Sequence, residues 1–134
     1  MTPLDVVQLV LRILLAGVFV FMGVNHFLPK PRRGMQAMIP PALRRPGMPS
    51  PAFLVAFTGV CELAGAAGLL APWPVLRLIT GIALALFLVL VFPANAYAAA
   101  HRDRFGATAF PFWPRLIAQV VLIALVLFAT LPLG

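Results

Sequence analysis

Acidic side chains are nearly missing from this sequence: Asp5, Glu62 and Asp103 are the only three carboxylates in 134 residues. The paired acids of glycosidase-type chemistry are therefore lacking. Cysteine occurs once, at Cys61, which excludes an internal disulfide and any CxxC dithiol chemistry. In its apolar setting beside Glu62, that thiol reads as a small packing residue. His26 and His101 are the only imidazoles; with no i, i+4 pair and no thiolate or carboxylate at ligand spacing, no metal site is expected. Haem-attachment motifs, glycine-rich phosphate loops and nucleophile elbows are absent as well. Charge of either sign is scarce, at 10% of residues against roughly 25% in an ordinary soluble domain.

What fills the chain instead is apolar. Hydrophobic residues make up 63% of it, more than a soluble domain of this length can hide. Four segments, at about 4–28, 51–70, 75–97 and 113–131, are long enough to cross about 30 Å of hydrocarbon as helices. They are rich in Leu and Ala and lack the apolar/polar alternation of barrel strands. The expected fold is all-α: an integral membrane four-helix bundle, a single transmembrane domain over residues 1–134. The first segment reads as a retained helix, since MTPLD carries no Lys or Arg and no small-residue cleavage site follows Leu28.

The net charge of +7 is arranged by loop. Lys30, Arg32, Arg33, Arg44 and Arg45 lie in the first connector, and Arg102, Arg104 and Arg115 in the third connector and the start of the last helix. Only Arg12 and Arg77 fall on the other side. The positive-inside rule then places both termini outside a cell membrane and the basic loops in the cytoplasm. Membrane lipid is the partner this implies, through attraction to anionic headgroups, and nucleic acid is not expected.

Two ions stand inside the apolar runs. Arg12 in the first helix and Glu62 in the second, within GVCELAG, each lie about two turns below the outer surface and so fall at matching depth. A lone ion in hydrocarbon costs at least about 2.5–3.5 kcal/mol on insertion scales, so an Arg12–Glu62 ion pair tying the two helices is expected. A snorkelling Arg12 and a protonated, hydrogen-bonded Glu62 stand beside it as alternatives. Asp5, Gln8, Arg12, Ala16, Phe19, Gly23 and His26 form one stripe, which looks inward. Thr58, Glu62, Gly65, Ala66 and Leu69 share a face of the second helix, with Gly59 at its edge, where small residues admit a close neighbour.

A second polar group gathers at the opposite, cytoplasmic end: His26, Asn95, Arg115 and Gln119. Pro93 cannot donate to the carbonyl of Val89 and is expected to kink or loosen the third helix there. As a ligand pocket, His26 and Arg115 would hold an oxygen-bearing headgroup, Asn95 and Gln119 would orient it, and His26 could shuttle a proton. As interface groups, His26 and Asn95 would only cap helix ends while Arg115 meets lipid phosphate. In the first loop, Met35, Met38 and Ile39 form either a short apolar turn on the inner surface or part of a Pro-stiffened connector.

GVNHFLP, TGVCELAGAAGLLAP, FPANAY and RLIAQ, in this order from about Val18 to Gln119, resemble the DoxX-like small membrane proteins. The resemblance implies a compact four-helix bundle in a bacterial cytoplasmic membrane. It also implies a link to quinone-reducing oxidoreductases, including a thiosulfate:quinone enzyme, or to redox-stress complexes. The family-like polar residues at matching positions are His26, Glu62, Asn95, Arg115 and Gln119. The chain departs from the pattern in RLIAQ, where RLPLQ-like versions carry a proline, and in an RRG insert in the first loop. The function expected is a membrane subunit of a redox system that binds a quinone or similar isoprenoid lipid and takes electrons from a partner oxidoreductase. A non-catalytic scaffold or assembly factor is the alternative. A proton or small-solute transporter, which would need a homo-oligomer, is a third.

Overall fold

Helix α1 (Pro3–Asn25) begins where its sequence supplies partners for the exposed N–H groups of a first turn. The Thr2 hydroxyl accepts from the Asp5 N–H at 3.2 Å, and the Asp5 carboxylate accepts from the Thr2 N–H at 2.9 Å. Pro3 follows at a position where no N–H is needed. The computed structural model describes residues 2–37, 39–41, 46–100 and 112–132. Among these the chain forms five helices: α1, α2 (Pro29–Ala37), α3 (Pro51–Leu69), α4 (Pro74–Ala100) and α5 (Phe112–Thr130).

The same start logic recurs at α3. Ser50 caps it by accepting from the Phe53 N–H at 3.2 Å, and Pro51 stands at its first position. The short α2 lies in the loop read as either an apolar turn or a stiff connector. Its prolines, Pro29 and Pro31, both sit in the first turn, where proline is tolerated. Ile39, just beyond it, is buried, and Met35 is half-buried; Met38 lies outside the described residues.

Four of the helices, over Pro3–Asn25, Pro51–Leu69, Pro74–Pro93 and Trp113–Thr130, are long and apolar enough to cross a membrane. They pack as a ring in which α1 touches α3 and α5, and α4 touches the same two. The core runs along its axis: Leu15, Ala16 and Phe19 from α1, Ala66 and Leu69 from α3, Leu84 and Leu88 from α4, Val126 and Ala129 from α5. Large apolar side chains cover the outside, among them Phe21 at 71% and Leu90 at 77% exposure. That is the inside-out arrangement of a multi-pass membrane protein, whose outer surface meets acyl chains. Trp73 and Trp113 are exposed at opposite ends of the bundle, and tryptophan is enriched at the two interfaces of membrane proteins.

Pro93 is accommodated inside a continuous α4. One carbonyl of the preceding turn, that of Leu88, accepts a hydrogen bond from the Gln119 amide of α5. That donor serves Leu88 and not Val89, the carbonyl that Pro93 leaves without its helical partner.

Candidate functional site

The register between α1 and α3 decides where the polar residues meet. A Cβ on Gly23 would stand 3.1 Å from the Gly59 carbonyl, and one on Gly59 would stand 2.7 Å from the His26 Cβ. Two glycines therefore bring the end of α1 against the middle of α3. This contact seats the buried His26 among Val55, Thr58 and Glu62.

The His26 Nδ1 lies 2.8 Å from the Val55 carbonyl oxygen. A carbonyl only accepts, so Nδ1 carries the hydrogen. The Thr58 hydroxyl donates to the same carbonyl at 2.9 Å and stands 3.0 Å from Nδ1. With Nδ1 thus fixed, Nε2 faces the Glu62 Oε2 at 3.3 Å. An unprotonated Nε2 would point a lone pair at a carboxylate. The pair is satisfied only when one proton is held between them, as imidazolium with carboxylate or as imidazole with carboxylic acid. The contact is an ion-pair distance, longer than a charge-assisted hydrogen bond, and the buried Oε2 has no aligned donor. His26 lies just past the α1 span. Burial pushes its pKa down, but the contact with Glu62, the Val55 carbonyl and the carboxylate's charge outweigh that and raise it above the usual 6.5. Among the described residues no group of three or more His, Cys, Asp and Glu stands together as a catalytic zinc site requires, and a His–carboxylate pair can hold a proton.

The expected Arg12–Glu62 ion pair does not form. Arg12 precedes His26 by fourteen residues, about 21 Å along the helix, and Glu62 reaches the His26 end. Matching depths required level helix ends, and the Gly23–Gly59 contact sets a different register, with the start of α1 overhanging the end of α3. Arg12 instead donates from Nη1 to the Ala129 carbonyl at 3.0 Å. Gln8, one turn earlier, donates to the carbonyls of Phe128 at 3.0 Å and Leu131 at 2.8 Å. Both side chains of the inward stripe thus cap the C-terminus of α5, where helical carbonyls lack intrahelical partners and a cation meets the negative end of the helix dipole.

Of the other site residues read from the sequence, Gln119 faces α4 through Leu88, and Arg115 is half-buried in the first turn of α5. The Asn95 side chain lies outside the described residues. His26 and Gln119 therefore serve different seams, α1–α3 and α4–α5. At the far end of the bundle is a pocket of about 290 Å³ that the sequence reading missed, with Asp5, Gln8, Arg12, Arg77 and Thr130 in its lining. The available signal was charge: Arg12 and Arg77 are the two cations left over by the loop count.

No curated protein and no solved structure matches the chain. A family model does match, over residues 15–130, which takes in the last three candidate spans whole and the second half of the first, together with His26 and Glu62. The chain belongs to the family described as Domain of unknown function (DUF8561).

Proposed function

We propose that the chain is a membrane-embedded subunit of a redox system, one that binds a quinone or similar isoprenoid lipid between its helices and works with a partner oxidoreductase. The observation that carries this reading is the buried His26–Glu62 pair, 3.3 Å apart and complete only with a proton. Reducing a quinone to a quinol takes up two electrons and two protons. A buried pair that holds one proton between its side chains can supply one of those two protons, and the electrons come from the partner oxidoreductase. In the DoxX-like reading the same two residues sit at family-like positions. The bundle is taken to lie in the cytoplasmic membrane with its termini outside; the basic residues at the α2 end, Arg32 and Arg33, support that orientation.

The scaffold reading relied on small-residue faces free to receive a partner. Gly23, Gly59, Gly65 and Gly68 all face neighbours within the bundle itself, which favours the redox reading over it. The test is quinone titration of the purified protein in nanodiscs. Saturable binding that weakens at least tenfold in both His26→Ala and Glu62→Gln is expected. Absence of saturable binding would exclude quinone as the ligand, and equal binding by wild type and both variants would exclude the His26–Glu62 pair from its site.

A further inference from the structure

The pocket at the opposite end has a charge census that calls for a ligand. It opens where α1 and α4 begin and α5 ends, and two guanidinium groups line it. Arg12 is only 9% exposed, and its Nη1 is engaged by the Ala129 carbonyl, leaving other N–H groups of the five on a guanidinium. Arg77, half-buried in the first turn of α4, meets no carboxylate at ion-pair distance among the described residues. The single acid in the lining, Asp5, turns its carboxylate to the Thr2 N–H at 2.9 Å and so completes the α1 cap. Two like charges facing one cavity repel each other most strongly when water is scarce. One anion between them would reverse the sign of that interaction.

Depth identifies the anion's carrier. Arg77 follows by one turn the 64% exposed Trp73, a residue type that favours the headgroup level. Arg12 lies about 14 Å along α1 from Pro3, so the pocket runs from the headgroup region into the apolar layer. Its outer rim is flanked by exposed apolar side chains on the elements that form it: Val6 and Val7 on α1, Val75 on α4 and Leu131 after α5. We propose that this pocket binds the anionic head, a phosphate or carboxylate, of a membrane amphiphile, with Arg77 and the free N–H groups of Arg12 as donors and Gln8 completing the wall. Arginine suits this role because its planar fork matches such oxyanions with two parallel hydrogen bonds. The site is independent of the His26–Glu62 pair, which sits at the other end of α1.

The experiment measures the thermal stability of the protein in neutral detergent with phosphatidic acid, phosphatidylcholine or inorganic phosphate added. Saturable protection by phosphatidic acid and not by phosphatidylcholine, weakened at least tenfold in Arg77→Gln and recovered in part by Arg77→Lys, is the expected result. Protection by phosphatidic acid alone places the anion on a lipid; equal protection by inorganic phosphate assigns the site to a free anion and overturns the amphiphile. Protection by neither anion, or protection unchanged in Arg77→Gln, overturns the site altogether. Among the described residues the Arg77 side chain makes no hydrogen bond or ion pair that holds the fold, so its variants keep the test readable where Arg12→Gln would not.

Discussion

Glu62 shows how one residue is decided by its neighbours. An ionised carboxylate in an apolar helix needs a counter-charge or a proton, and His26 provides whichever form the pair adopts. The sign of the pH effect follows from the raised His26 pKa: its stabilising contribution is fully present below the unfolded value near 6.5 and is lost as pH rises through the higher folded value. Thermal stability should therefore fall as pH climbs from about 6 toward 9, and Glu62→Gln should flatten that fall. A wild-type profile without slope, or an unchanged slope in the variant, would remove His26 from the account. Arg12 makes a separate prediction. Arg12→Met keeps the apolar stem but leaves the buried Ala129 carbonyl without its donor, which should lower unfolding stability by about 1–3 kcal/mol. Denaturant titration in detergent measures it.

At the scale of elements, helix register governs more than helix identity. The four long helices and the inward stripe of α1 were legible because apolar run length and 3.6-residue periodicity survive in any packing. Gln8, Arg12, Ala16, Phe19, Gly23 and His26 are buried as the spacing predicts, whereas Asp5 at the start of the stripe is not. Partner choice was not legible, because an axial shift of a few residues between helices leaves every face intact while exchanging every partner. Gly59 is where that shift is fixed. Gly59→Ala would place a methyl 2.7 Å from the His26 Cβ and 2.9 Å from the Phe27 Cε2. The His26 Cβ moves only with the backbone at the end of α1, so the helices must separate. We expect a loss of about 1–3 kcal/mol together with the loss of the His26–Glu62 contact, seen as a His26 pKa moving down by NMR titration. An unshifted His26 pKa in a destabilised variant would uncouple register from the pair. α2 escaped the sequence reading for another reason: its prolines look like connector residues until their first-turn positions are known.

For the whole molecule, the two ends differ in kind, and sidedness turns that difference into a function. Both Asp5 and Pro132 line the Arg12–Arg77 pocket, so the two termini share one end; α2 and the start of α5 define the other. If the basic end faces the cytoplasm, as Lys/Arg bias sets orientation in general, then the His26–Glu62 pair lies toward the cytoplasm and the pocket toward the outer leaflet. The exposed tryptophans mark the two surfaces and give the assay its handles. Cys61 is the only native thiol, so Cys61→Ser supplies a cysteine-free background in which Trp73→Cys and Trp113→Cys are introduced singly. A membrane-impermeant maleimide added to intact cells should label position 73 and spare position 113 until the membrane is opened. The reverse pattern would invert the molecule, placing the proton-binding pair outside and the arginine pocket against the cytoplasmic leaflet. Anionic lipids are concentrated in that leaflet, so inversion would also change which lipids the pocket meets, and the two sites would exchange compartments without any change in their chemistry.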